Sequence, residues 1–182
     1  MIRIDPAAAA WAVRGRELAA AVHAAAAPAS LRVEHIGSTA IPGMAAKPVY
    51  DLQMSVAALD PGALDAPLAA EGFVRKPYEH DHVPAGRDEP PERWRKLMYA
   101  RETPEPVNLH VRLAGSPNER LALLFRDWLR AHPAAVAAYA AFKSVLAGHV
   151  TDLGAYTDVK DPVVDLVVAA AEDWAAATGW RP

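Results

Sequence analysis

The sequence predicts an α+β fold with a mixed β-sheet flanked by helices, because two features occur together in one chain. Short alternating segments typical of strands lie before residue 114, interspersed with helix-start signals. The remainder contains only helical patterns and begins with a capping box at Ser116-Pro117-Asn118-Glu119. Strands mixed with a helix, followed by helices alone, are typical of an α+β or α/β protein with a mixed sheet.

Proline after a capping residue marks where several helices should begin. Asp5-Pro6 and Asp60-Pro61 each put an N-cap acid before a proline at the first helical position. Ser116-Pro117 gives the same signal with a serine cap. The helices are therefore expected over residues 6–27, 61–71, 117–130 and 133–147, followed by a last helix that runs through Pro162 to about residue 177.

Alternation of apolar and polar residues predicts four strands. They are expected over residues 31–36, 49–56, 96–101 and 107–113, and the last two should form a hairpin across the turn sequence TPEP. Residues 73–92 have no clear pattern. The polar, proline-rich part, residues 78–92, is expected to form a loop or lid in which His80 and His82 are exposed.

Length and composition limit the protein classes. The 182 residues suggest a single domain over 1–182, with a C-terminal helical portion from about 116 to 182. The net charge of −3 gives no overall positive field, so no long nucleic acid is expected as a partner. Cysteine is absent, so a thiolate nucleophile or a cysteine-ligated zinc is excluded, and any metal must sit on His, Asp or Glu.

The chain has neither a signal-peptide pattern at its N-terminus nor an apolar segment of the roughly 18 residues that a membrane span needs. We therefore expect a cytoplasmic protein with no membrane partner. The sequence leaves the oligomeric state open.

Two of the predicted strands carry polar residues along one face. Side chains alternate between the faces of a sheet, so Asp51 and Gln53 share a face, opposite an apolar row. In the strand over 107–113, the residues Asn108, His110 and Arg112 likewise share a face. If these strands are neighbours in one sheet, Asp51, Gln53, His110 and Arg112 converge on one surface.

A glycine-rich connector supplies a third group of candidates. Gly37-Ser38-Thr39 leaves a strand where backbone N–H groups and hydroxyls can meet phosphate oxygens. Lys47 follows in the same connector and could neutralise phosphate. Gly-Ser pairs occur in many turns, so the indication comes from their combination with Lys47 and a strand acid.

The run EHIGSTAIPGMAAKPVYDLQMSV resembles the signature segment of the GrpB family, in which a Gly-Ser-Thr connector precedes Lys-Pro and a strand bearing Asp. NLHVRL resembles the family's His-Leu-His-Val strand, and FRDWLRAHPAAVAAYAAFK resembles its pair of helices. AYTDVK resembles the element before the family's last helix. The resemblance covers residues from about 30 to 165.

The GrpB family in turn resembles the nucleotidyltransferase superfamily, in which a Gly-Ser turn binds a triphosphate and strand acids hold two divalent metals. On this resemblance Gly37 and Ser38 match the turn and Asp51 matches the first acid. Gln53 stands where the second acid would be, and His110 stands near the third. Gln is a poor metal ligand and His prefers softer metals than Mg²⁺, so the sequence departs from a two-magnesium site.

The resemblance implies metal-assisted nucleotidyl or phosphoryl transfer from a nucleotide, with a nucleoside triphosphate as possible substrate, to a small-molecule acceptor. Asp51 and His110 are the candidate catalytic residues and the candidate ligands of a divalent metal, Mg or Mn. The candidate nucleotide-binding residues are Gly37, Ser38, Thr39, Lys47, Gln53, Arg112, Tyr156 and Lys160. The alternative is a nucleotide- or metabolite-binding protein with a degenerate site and no turnover.

Overall fold

The centre of the computed structural model, which describes residues 2–182 except for the side chain of Leu153, is a five-stranded mixed sheet. The strands are β1 (Ser30–Ile36), β2 (Tyr50–Val56), β3 (Val74–Lys76), β4 (Lys96–Arg101) and β5 (Val107–Leu113). Their order across the sheet is β1-β2-β5-β4-β3. β2 and β5 run parallel, and the other neighbouring strands pair antiparallel. The predicted α+β class with a mixed sheet is therefore confirmed.

The described residues also form five helices. They are α1 (Ala9–Ala25), α2 (Pro61–Ala70), α3 (Pro117–Ala131), α4 (Pro133–His149) and α5 (Leu153–Thr178). Short 3₁₀ turns cover Ser38–Ala40 and Pro91–Trp94. Among the helices that the structure describes, none is both long and apolar enough to cross a membrane.

The apolar face of the sheet packs against α1 and α2. Leu52 and Met54 of β2 and Leu109 and Val111 of β5 are fully buried there, in one cluster with residues of both helices. Their burial removes the alternating apolar row from water, which is the main driving force for this half of the fold.

The polar face of the sheet is covered in part by α3. The Glu119 carboxylate accepts hydrogen bonds from Ser55 and, at 3.0 Å, from Arg32. The Gln53 amide donates to the Glu119 backbone oxygen at 3.1 Å. These bonds satisfy polar groups that would be costly to bury alone. They fix α3 over the end of β2 that contains Ser55.

Two local predictions were wrong at their boundaries. The first helix begins at Ala9 rather than Pro6, because the Asp5 backbone instead forms a two-bond bridge with Ala46. Residues 73–92, in which the sequence showed no clear pattern, contain the short strand β3, and the expected loop over 78–92 ends in the 3₁₀ turn over Pro91–Trp94. β3 has only three residues, at the sheet edge, which is too few for an alternation to be recognised.

The predicted serine cap at the start of α3 is confirmed and gives a stability prediction, although the Glu119 carboxylate accepts from the Gly115 N–H rather than from that of Ser116. Ser116 accepts a hydrogen bond from the Glu119 N–H, and its hydroxyl also lies 2.6 Å from the Leu113 oxygen. Ser116→Ala should therefore lower the free energy of unfolding by about 1–2 kcal/mol in urea denaturation. The control is Ser144→Ala, since that exposed hydroxyl bonds only to a backbone oxygen of its own helix. Equal losses in the two variants would contradict the role of the cap.

Candidate functional site

A cavity of about 800 Å³ lies where β2 and β5 meet the connector after β1 and the first half of α5. Eight of the ten residues predicted for the site line it: Gly37, Ser38, Lys47, Asp51, His110, Arg112, Tyr156 and Lys160. The expected adjacency of the two polar strands is confirmed. β2 and β5 pair in parallel with Asp51 opposite Asn108 and Gln53 opposite His110.

The other two predicted residues, Thr39 and Gln53, are buried outside the cavity lining. The Thr39 hydroxyl donates to the Val49 oxygen and lies 2.9 Å from the His35 ring. Both ends of the Gln53 amide are occupied, because Arg112 donates to its oxygen at 2.5 Å and its nitrogen donates to α3. Thr39 and Gln53 therefore stabilise the segments that surround the cavity.

Asp51 forms part of the cavity floor, near the start of β2. Its carboxylate accepts a hydrogen bond of 3.0 Å from Asn108, the residue opposite it on β5. Burial raises the pKa of Asp51, although the Asn108 bond and the nearby Lys160 and Lys47 act in the opposite direction. A carboxylate with a raised pKa in a cavity is suited to accept a proton from a substrate.

Gly37 allows the connector to approach Asp51 closely. Its φ of 68° lies in the left-handed region, and a Cβ atom at this position would overlap the Asp51 carboxylate. A side chain at position 37 would therefore be strained and would displace Asp51. Glycine is needed here to hold Ser38 beside the acid.

Three lysines approach the same end of the cavity from different segments. Lys143, on α4, donates hydrogen bonds to Ser38 Oγ at 2.8 Å and to the Ala45 oxygen at 2.7 Å. Lys47, in the connector, lies 5.4 Å from the centre of the Tyr156 ring. Lys160 lies on α5 and also lines the cavity. Burial lowers the pKa of both Lys47 and Lys143, and Lys160 adds to the effect in each case.

A second charged cluster, centred on Asp81 of the 78–92 loop, borders the cavity. The Asp81 carboxylate accepts from Lys96 at 2.6 Å, from Arg112 at 2.7 Å and from Asn118 at 2.9 Å. Burial alone would raise the pKa of Asp81, but Arg112 and Lys96 hold it well below its ordinary value. Asp81 therefore stays ionised and fastens the loop to β4, β5 and α3.

His110 lies between the cations of this second cluster. Its Nδ1 is 3.4 Å from both Lys96 Nζ and Arg112 Nη2. Burial lowers the pKa of His110 well below its usual range, and Arg112 and Lys96 lower it further. The ring is neutral at pH 7, and the flanking positive charges oppose a cation at Nδ1.

The side chains around Asp51 do not fit a site with two metals. Within residues 2–182, no group of three or more His, Asp or Glu side chains is arranged to hold a metal ion. Gln53 is fully engaged elsewhere, and His110 has two cations beside it. A divalent metal on Asp51 and His110 therefore stays a prediction for which this geometry gives no support.

The loop over residues 78–92 contacts α5 and contributes part of the cavity lining. Asp165 of α5 lies 3.0 Å from the His82 ring and accepts from the Ala85 N–H at 3.1 Å. Glu172, further along α5, accepts from Arg87 of the loop at 2.5 Å. As predicted, His80 and His82 are exposed.

Sequence reasoning missed Lys143 and Asp81 as members of the site. Lys143 is the one Lys, Arg, Asp or Glu in the alanine-rich helix α4 (Pro133–His149), and it is only 3% exposed. A lone lysine on the buried side of an apolar helix is a usable signal, because such a charge must have partners. Asp81 stands in a polar loop, where nothing local separates it from exposed acids.

The comparisons with known proteins agree with the architecture and with the sequence motifs. The family model described as GrpB protein matches residues 1–170. The chain belongs to the GrpB family. A UPF0157 protein of Pseudomonas aeruginosa is 34% identical over an alignment of 175 positions, which covers 93% of this chain and 67% of the relative.

Other relatives in the comparison are considerably longer. A protein named dephospho-CoA kinase from Mycolicibacterium paratuberculosis is 35% identical over an alignment of 201 positions including gaps, which covers 100% of this chain and 48% of that protein. The homologue with the same name from Mycobacterium leprae is 33% identical, and the alignment covers 46% of that protein's length. The chain thus spans about half the length of these curated relatives.

A solved GrpB-family structure has the same fold. The crystal structure of a conserved GrpB protein from Enterococcus faecalis superimposes with a TM-score of 0.74 at 24% identity. The alignment covers 94% of this chain and 99% of that one. At this identity the likeness supports the fold alone.

Proposed function

We propose that the cavity binds the phosphate groups of a nucleotide or similar phosphoester and transfers a phosphoryl or nucleotidyl group to a small hydroxyl-bearing acceptor. The observation that carries this proposal is the convergence of Lys47, Lys143 and Lys160 beside Ser38 and Asp51. These lysines come from the connector, α4 and α5.

The chemistry of these groups favours phosphate over other anions. Ammonium groups and a serine hydroxyl supply several donors at short range, which suits the multiple oxygens of phosphate. Asp158 and Asp161 of α5 also line the cavity, so its overall charge does not by itself identify the end with the three lysines as a phosphate site. The contacts of Ser38 and Lys143 distinguish it, because they fix a hydroxyl and a lysine amine side by side.

Asp51 is proposed as the general base. It would take the proton from the acceptor hydroxyl as that oxygen attacks phosphorus, while the bond from phosphorus to the leaving oxygen breaks. Lys47 and Lys160 would stabilise the charge on the phosphate oxygens and on the leaving group. The raised pKa of Asp51 brings its basicity closer to neutral pH and so improves proton transfer.

The proposed steps use no metal ion, because the donors around Asp51 do not form a metal site by themselves. A magnesium or manganese ion carried by the nucleotide would add its own charge stabilisation. Measurements with metal and with chelator therefore decide whether the predicted metal dependence holds.

The names of the longer relatives are compatible with this reaction class. A kinase transfers a phosphoryl group, and this chain matches about half of two proteins named dephospho-CoA kinase. The activity belongs to those whole proteins. For this chain it supports a phosphorylated substrate as a proposal and does not identify one.

A binding protein without turnover is the second candidate function. Gln53 occupies the position of the second acid in the nucleotidyltransferase pattern, and its amide is bound to Arg112 and α3. Such a site could retain phosphate binding after losing catalysis. Consumption of nucleotide in the presence of an acceptor distinguishes the two, since a binder would show affinity without product.

Lysine variants test the phosphate site directly. In thermal melts, ATP and pyrophosphate should raise the melting temperature of the wild type, because a ligand that binds the native state stabilises it. Lys160→Ala should weaken their binding about tenfold or more, as expected for loss of a charged hydrogen bond. Lys76→Ala is the matched control, since Lys76 lies on the edge strand β3. Equal ligand responses in the two variants would contradict the proposed site.

A further inference from the structure

We propose that Ser38 and Lys143 form a nucleophile–base pair, so that the transferred phosphoryl group is carried on Ser38 Oγ between donor and acceptor. This inference rests on the proposed function and adds a covalent intermediate to it. In the simple transfer scheme the buried Lys143 serves only as a positive charge. The covalent intermediate gives it a chemical role as the base for Ser38.

The geometry has the three parts that an activated nucleophile requires. Ser38 lines the cavity, directly after the Gly37 turn that holds the connector against Asp51. Lys143 Nζ lies 2.8 Å from Ser38 Oγ, within hydrogen-bonding reach. The Ala45 oxygen, 2.7 Å from the same nitrogen, orients the amine.

A neutral amine fits both neighbours. It has two N–H groups and one lone pair, so it can donate to the Ala45 oxygen and accept the Ser38 hydroxyl proton. An ammonium ion can only donate, and it would leave the Ser38 hydroxyl unactivated. The pair therefore works as nucleophile and base when Lys143 is deprotonated.

The surroundings make that state available near neutral pH. Burial lowers the pKa of Lys143 to about 7, and the positive charges of Lys160 and Lys47 act in the same direction, while Asp51 opposes them. The Tyr139 ring centre lies 5.2 Å from the amine, on the same helix. Deprotonation, and with it Ser38 reactivity, should increase as pH rises through about 7.

The proposed sequence balances in two steps. In the first, Ser38 Oγ attacks phosphorus of the bound phosphoester, its proton passes to Lys143, and the bond from phosphorus to the leaving oxygen breaks. In the second, the acceptor hydroxyl gives its proton to Asp51 and attacks phosphorus. The bond to Ser38 Oγ breaks, Lys143 returns the proton to that oxygen, and Asp51 releases the acceptor proton to solvent.

The competing explanation is that Lys143 only connects α4 to the connector through hydrogen bonds. Both of its hydrogen bonds would then stabilise the fold, and Ser38 would not react with phosphorus electrophiles. The two explanations differ in reactivity, which can be measured without knowing the substrate.

The test is labelling with an alkyl fluorophosphonate, an uncharged electrophile from which serine displaces fluoride while the base takes the serine proton. Peptide mass spectrometry should find the adduct on Ser38, with a labelling rate that rises with pH through about 7. Lys143→Arg should reduce that rate about 100-fold or more, since arginine can donate to Ala45 but is not deprotonated. Ser144→Ala, one residue along α4, should label like the wild type.

Absence of a Ser38 adduct in the wild type would overturn the proposal, and so would equal labelling of Lys143→Arg when both proteins show cooperative melts. The ATP and pyrophosphate melts test the phosphate site separately. A protein that responds to nucleotide but does not label refutes the nucleophile pair alone. One that labels at Ser38 but ignores nucleotide refutes the phosphate site.

Discussion

Asp51→Asn should abolish group transfer while leaving the fold intact. Asparagine keeps the size of aspartate and can still accept the hydrogen bond from Asn108, but it cannot take a proton from an acceptor hydroxyl. Loss of a general base typically costs a factor of about 10²–10⁴ in rate. The measurement is nucleotide turnover with an acceptor, together with thermal melts of both proteins.

The stability of this variant has a definite expected sign. Burial raises the pKa of Asp51, so its ionised form is disfavoured in the folded state and weakens the fold above the unfolded-state pKa. Removing the charge should leave the variant at least as stable as the wild type at pH 7. Asp173→Asn, a change of an exposed acid on α5 outside the cavity lining, is the control and should retain turnover. A large drop in melting temperature for Asp51→Asn would instead indicate a structural ion pair.

Asp81→Ala should produce the largest loss of stability, about 3–5 kcal/mol, because it leaves buried charges without their partner. The side chains of Arg112 and Lys96 are only 7% and 10% exposed, and both bind the Asp81 carboxylate. Asn118 would lose the same acceptor. Urea denaturation measures the change in the free energy of unfolding.

A variant in the same loop provides the comparison for Asp81. Asp88→Ala removes an exposed acid and should change stability by less than about 0.5 kcal/mol. The pH dependence adds a second readout. The lowered pKa of Asp81 stabilises the wild type above the unfolded-state value, and this contribution is lost as pH falls toward the folded-state value. The free energy of unfolding of Asp81→Ala should therefore fall less than that of the wild type as pH decreases. Similar changes in stability for Asp81→Ala and Asp88→Ala would refute the role of Asp81.

Much of the sheet could be predicted because strand side chains repeat with a period of two. The alternation in β2 and β5 identified the polar face, and the structure confirms that these strands are neighbours with Gln53 opposite His110. Capping signals likewise located α2 and α3, since those bonds form between residues close in sequence. Such features depend on local geometry, which the sequence specifies directly.

The remaining parts of the site depend on contacts between distant segments. Gln53 lies on the predicted polar face, but α3 covers it, and no local pattern indicates where a helix more than 60 residues later will pack. Lys143 reaches Ser38 across 105 positions of sequence, and Asp81 reaches Arg112 across 31. The sequence could identify polar residues, but only the packing determines which ones meet.

The most direct test of the phosphate cavity is a crystal structure grown with a non-hydrolysable nucleoside triphosphate, with and without Mn²⁺. We expect phosphate oxygens within hydrogen-bonding distance of Ser38, Lys47 and Lys160 in both crystals, and the manganese signal shows whether Asp51 also holds a metal. Triphosphate bound elsewhere, or a cavity with no ligand density while the nucleotide saturates the crystal, would contradict the assignment of this cavity to phosphate.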